Sequence, residues 1–189
     1  MSSAIQMGNN QGVKPSYPTG AAVLHASFTR PNDAVAYASG DAVTDNTASA
    51  GCLVFANAGR SGLLWTAHLF LGKDPSAGTA DFDLLIHDRM PTNGSFDNVA
   101  MAQDGTFASG DYDHIVGVFH FLAANKISFG ANFNLYRPTG PLGEGHTGPF
   151  AFSGDGGLYG QLVTRSAWTP VANALISAKL HIDRQGVIR

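Results

Sequence analysis

From residue 21 onward, apolar and polar positions alternate in short runs. Over Ala21–Thr29, Ala22, Leu24, Ala26 and Phe28 share one face, and Val23, His25, Ser27 and Thr29 the other. A period of two predicts a strand with one buried side. The same period over Phe82–His87 turns Phe82, Leu84 and Ile86 inward, and over Leu175–Ile182 it turns Ile176, Ala178, Leu180 and Ile182 inward. His114–Leu122 puts Ile115, Phe119 and Phe121 together, and Phe129–Tyr136 puts Phe129, Ala131, Phe133 and Leu135 inward. Leu63–Leu71 is apolar on both faces and predicts a central strand; Cys52–Ala56 and Phe150–Phe152 predict shorter ones. Turns are expected at Arg30–Asp33, Ser39–Asp41, Asn57–Gly62, Lys73–Ala80, Pro138–Pro149 and Ser153–Gly157, where Gly, Pro, Asn and Asp cluster. Val35–Tyr37 is a short link and Ala42–Thr44 a brief edge strand. Leu158–Arg165 and Leu175–Ile182 are expected to pair and close the domain, joined by a link over 166–173 long enough to cross between sheets. Met90–Tyr112 has no period, and Phe96 and Phe107 are its expected anchors. Roughly nine or ten short strands, with no amphipathic helix, predict an all-β antiparallel sandwich or barrel.

Residues 1–20 break the pattern. Gly8, Asn9, Asn10, Gly12, Pro15, Pro18 and Gly20 interrupt them too often for a helix or long strand. They predict an extended N-terminal arm, with residues 21–189 as one β-sandwich domain. Extended, ~20 residues reach at most ~70 Å, longer than the body is wide. The arm reads either as a frayed terminus or as a clasp ordered by a partner, with Tyr17 and Pro18 as candidate anchors. Arg30, Pro31 and Tyr37 form the expected gate between arm and body. Arg30, Asp33 and Asp41 are turn residues there, and Pro31 closes the strand and directs the arm away.

Composition narrows the partners. Charged residues are 13% of the chain against about 25% in an ordinary soluble domain. Such a surface suits either an ordinary all-β domain with many turns or one covered by neighbours, where an unpaired buried charge is costly. The net charge is −3 and no Lys/Arg run occurs, so nucleic acid is not an expected partner. No membrane span is expected, because no apolar stretch approaches ~20 residues. The N-terminus lacks the basic start and apolar core of a secretory signal. Cys52, alone in an apolar run, is expected to be a small buried hydrophobe, suiting a protein made inside a cell.

Catalytic and metal patterns are sparse. Seven His residues include no His-x-His pair, which alone would project two imidazoles from one strand face. Pro141-Leu-Gly-Glu-Gly-His146 matches part of the second cupin motif, but the first motif is missing. Ser153-Gly-Asp-Gly-Gly157 lacks the serine a protease loop needs between Asp155 and Gly156. Asp81 and Asp83 share an exposed face and read as solvated. Trp65, Trp168, Tyr136 and Tyr159 read as packing residues. No enzyme, metal site or cofactor is expected.

The run Ser27-Phe-Thr-Arg-Pro-Asn-Asp-Ala-Val-Ala-Tyr-Ala-Ser-Gly-Asp-Ala-Val43 resembles an opening found in small structural proteins of tailed bacteriophages. There it reads Arg-Pro-x-Asp, then Ala-Tyr-Ala-x-Gly-Asp-Val-Val. Phe82–Thr92 and Leu158–Val171 resemble later segments of those proteins in the same order. Ala42 departs from the usual Val, and the arm has no counterpart. The resemblance implies a jelly-roll sandwich acting as a capsid cement or decoration protein on the outer capsid of the virion. It implies the major capsid protein and further copies of the chain as partners, with a dimer or trimer at a symmetry axis. The alternatives are another virion module, such as a tail or receptor-binding sandwich, or a cupin-like or lectin-like protein.

Overall fold

The computed structural model describes residues 20–45, 52–72, 79–91, 97–98, 111, 113–130, 133–139 and 149–185. The arm 1–19, with Tyr17 and Pro18, lies outside them, as do Phe96, Phe107 and the cupin-like stretch around His146. All named elements are strands: β1 (Gly20–Thr29), β2 (Ala42–Val43), β3 (Leu53–Gly72), β4 (Phe82–His87), β5 (Ile115–Ser128), β6 (Phe133–Thr139), β7 (Phe150–Thr164) and β8 (Leu175–Arg184).

The strand order is β1-β8-β3-β6-β5-β4-β7-β2, and β3 also pairs with β7. The ring β3-β6-β5-β4-β7 therefore closes on itself as an antiparallel barrel. The core fills it from all sides with Phe55, Leu64, Leu69, Phe82, Leu84, Ile86, Phe119, Phe121 and Tyr136, while Leu24, Ile176, Ala178 and Leu180 line the β1–β8 wing.

Two expected turns are not turns. Asn57–Gly62 and Ser153–Gly157 face each other inside β3 and β7, where Gly59 pairs with Gly156 and Ser61 with Ser153. Register shifts on both sides of Gly59 bend the ribbon without ending it. Asn57 (φ 62), Gly59 (φ 86) and Gly156 (φ 109) are all left-handed there. Asn and Gly are the residues that accept that conformation, and hence they resemble turn residues in sequence. Fusing these pieces turns the expected nine or ten strands into eight. At Gly62 a Cβ would stand 2.4 Å from the Asp183 carbonyl oxygen, so only glycine lets β8 cross so close.

Three further expectations are corrected. β8 pairs with β1 and β3, not with the strand before it, and the link after β7 carries the chain across the barrel. The face of β6 is reversed: Asn134 and Tyr136 point inward, while Phe129 and Phe133 are 57% and 37% exposed. Tyr136 fits inside because its hydroxyl donates to the Ala80 carbonyl at 3.2 Å and its ring meets Phe82 edge-on. A one-residue slip moves every side chain of a strand to the other face. Pro138 is tolerated within β6 opposite Phe121, beyond the stretch of β6 that pairs with β3. Finally, the Pro31 turn cannot direct the arm. It follows Thr29, whereas the arm enters at Gly20, about 33 Å away at the other end of β1.

Candidate functional site

Two clusters stand out. The first lies where β1 ends. Arg30 leaves β1 at a bend, its N–H donating to the Ala174 carbonyl at 3.0 Å. It is not a solvated turn residue: it is 1% exposed. Its Nη2 donates to Asp97 Oδ2 at 2.9 Å and to Asp33 Oδ1 at 3.2 Å, and its Nε to the Tyr37 hydroxyl. The Tyr37 hydroxyl donates in turn to Asp97 Oδ1 at 2.5 Å, which also accepts the Thr44 N–H at 2.8 Å. Burial alone would lower the Arg30 pKa, but Tyr37 and Asp97 outweigh it and raise it, so the guanidinium stays charged. Burial, with the Asp97 hydrogen bond and charge, pushes the Tyr37 phenol well up.

An aromatic chain continues the cluster into the core. Tyr37 and Trp168 exchange backbone hydrogen bonds of 2.8 and 3.2 Å, and their rings stack at 5.2 Å and 12°. Trp168 meets Phe82 edge-on at 5.2 Å. The Arg30 guanidinium lies 4.7 Å from the centre of the Tyr37 ring, a cation–π contact. Pro31 has no N–H to give, and its carbonyl accepts from the Asn173 N–H at 3.2 Å. Gate residues Arg30, Pro31 and Tyr37 thus join the β1–β2 link to the β7–β8 link, while Tyr17 and Pro18 lie outside the described residues. Asp33 and Asp41 do behave as turn residues, accepting the Val35 and Ala38 N–H groups. Asp97 was not foreseen. The readable hint was an arginine in a chain with few charges, directly after a half-buried strand and near a Tyr; nothing local pointed to its acid, 67 residues away.

The second cluster lies on the outer face of the wall β1-β8-β3-β6. Register sets His25 opposite Lys179, and Lys179 opposite His68. His181 stands opposite Val23 on one side and Thr66 on the other. A register shift between Leu64 and Thr66 adds Trp65 beside it, 47% exposed. His68 Nδ1 and His181 Nε2 are 3.2 Å apart with the rings edge-on, and Lys179 Nζ lies 5.1 Å from the Phe70 ring centre. Arg137 follows Tyr136, the partner of Leu69, which places it beside His68. Burial first, then His181, Arg137 and Lys179, hold the His68 pKa down. Two imidazoles at this distance suit a shared cation, but Lys179 and Arg137 would repel one. Among the described residues no group of three or more His, Cys, Asp or Glu could hold a metal.

The opposite wall holds its charges differently. Asp83 accepts from His120 at 2.6 Å and lies 3.5 Å from Arg165, and Asp81 accepts the Ala123 N–H at 2.7 Å. The two carboxylates expected to be solvated are therefore tied into the fold. Asp88 pairs with His114 at 3.0 Å and accepts the Ser153 N–H at 3.3 Å. Burial, then the Asp111 charge, pushes the Cys52 thiol up to about 12, so it stays protonated and unreactive at neutral pH. Burial lowers the pKa of His87, although Gln161, Asp111 and Asp88 pull it up. No protein-family model matches this chain, and no curated protein matches it.

Proposed function

We propose that the protein is a bacteriophage capsid cement or decoration protein, a jelly-roll sandwich with an N-terminal arm that binds the outer capsid and bridges major-capsid subunits. The observation that carries this reading is the spatial meeting of the three stretches that resemble tailed-phage structural proteins. The first, over 27–43, holds Tyr37 and β2; Tyr37 bridges to Trp168, and Ala42–Val43 pairs with Val163 and Leu162 of the third. The second supplies β4, whose Phe82–His87 pairs with Thr164–Tyr159 of the third. Three stretches far apart in sequence thus form one packed unit, so the resemblance follows a piece of architecture rather than scattered residues.

The physics suits the role. A closed barrel has few free edges, and a low-charge surface tolerates being covered. Modest contacts repeated over a symmetric shell add as avidity. The test is quantitative mass spectrometry of purified virions. A cement protein should be present in proportion to the capsid subunit; a few copies per particle would favour a tail module, and absence from the particle would overturn both.

A further inference from the structure

The charges of the described strands are sorted by wall. Between them β1, β3, β6 and β8 carry one carboxylate, Asp183, alongside Lys179, Arg137, His25, His68 and His181 on the outer face. On the other side, Asp81, Asp83 and Asp88 each accept hydrogen bonds within the chain. Among the described residues, Asp183 is thus the one carboxylate on the strands of the basic row, while Asp81, Asp83 and Asp88 of the opposite wall are satisfied within the chain.

We infer that the outer face of the β1-β8-β3-β6 wall docks an acidic protein surface, whose carboxylates seat on His68, His181, Lys179 and Arg137. The make-up of the face fits an interface. Val23 (57% exposed) and Trp65 (47%) flank the row, and Phe70 lies beneath Lys179. Aromatic rings mixed with Arg, in a patch poor in acids, are what binding surfaces favour. Charge also selects the occupant. A cation is repelled by Lys179 and Arg137. In a second copy of the chain, Asp81, Asp83 and Asp88 are already hydrogen-bonded at home. A nucleic acid needs a larger basic footprint than one row on a chain of net charge −3. Carboxylates on a protein surface match the row in sign.

The docking should strengthen in mild acid. The groups facing His68 are His181 and Lys179 on β8 and Arg137 on β6, with His25 across β8 on β1 and Asp183 at the end of β8. These neighbours discourage protonation of His68 in the free protein, and a partner's carboxylate reverses that. The inference rests on the cement reading only for the identity of the partner.

The test uses the full chain with fluorescent poly-L-glutamate at low salt. Wild type should bind, K179E/R137E should bind about tenfold more weakly or worse, and R165E on the opposite wall should bind like wild type. Thermal melts check that each variant is folded. Binding should tighten from about pH 7.5 to about pH 5.5, and H68Q should flatten that rise. No binding to poly-L-glutamate, equal weakening by R165E, tighter binding to duplex DNA, or self-association abolished by K179E/R137E would each overturn the inference. Virions separate it from the cement reading. If particles carry the chain and K179E/R137E decorates them as well as wild type, the face is wrong while the cement role stands. If particles lack the chain and the poly-L-glutamate loss is seen, the face stands while the cement role falls.

Discussion

Arg30 and Arg137 sit at two ends of one design choice. Arg30 is sealed inside with Asp97, Tyr37 and Trp168 and reaches the more exposed Asp33, its charge matched by the chain itself. Arg137 sits on an outer face with Lys179 and three histidines and with Asp183 as the one carboxylate on those strands. A charge matched within the fold holds the fold together. A charge gathered with its own sign at the surface adds little to stability and is open to something outside. The contrast makes opposite forecasts for removing each arginine.

The largest effect should come from the sealed cluster. Arg30→Met leaves Asp97 buried without its cation, and unfolding in urea should show a loss of about 3–5 kcal/mol. A loss under about 1 kcal/mol would mean that the cluster is ornamental. Tyr37→Phe keeps the stacking on Trp168 but strips one donor from Asp97 and one acceptor from Arg30. It should cost about 1–3 kcal/mol. It should also remove an alkaline sensitivity. The Tyr37 pKa is raised above its ordinary 10.0, so its contribution is complete below about pH 10 and is lost as pH climbs towards the folded value.

The outer face should be silent in the same assay. K179E/R137E should change stability by no more than about 0.5 kcal/mol while weakening docking about tenfold or more. A large stability loss there would erase the distinction between the two clusters. On the opposite wall, Asp83→Asn removes a part-exposed hydrogen bond with His120 and ion pair with Arg165 and should cost under about 1 kcal/mol. The last expectation is the shallow acid dependence set by His68 and His87. Both have lowered pKa values, so their contribution is complete above about pH 6.5. Below that the unfolded chain takes up protons first, and stability declines as pH falls through the folded values. H68Q should make the decline shallower in urea titrations at a series of pH values.

Much of the fold was legible because β1, β4 and β8 alternate cleanly and each buries one face. Those strands announce themselves through side chains alone. β3 and β7 do not, because their bends need Asn57, Gly59 and Gly156, and a bend inside a strand uses the same residues as a turn between strands. The face of β6 was misjudged because Phe129 and Phe133 outrank Asn134 and Tyr136 in apolarity, while the register depends on a hydroxyl finding the Ala80 carbonyl. The sites were less legible than the fold. Arg30 and Tyr37 stood out, yet their acid is 67 and 60 residues distant. His68 and His181 are 113 apart and meet only because β8 lies beside β3. Convergence of that kind is a property of topology, and no local pattern encodes it.

The pairing of β1 also sets a schedule. Its hydrogen-bonded neighbour is β8, with Gly20 against Arg184 and Thr29 against Leu175. The first described strand to leave the ribosome therefore waits for the last one before it has an edge to join. Closing so long a loop is slow, because its entropy must be spent before any contact rewards it. The wall that carries the basic row, β1-β8-β3-β6, cannot assemble until β8 has been made. A chain cut short before residue 175 would lack both the wall and its docking face, so incomplete copies would be screened out of any assembly that depends on that face.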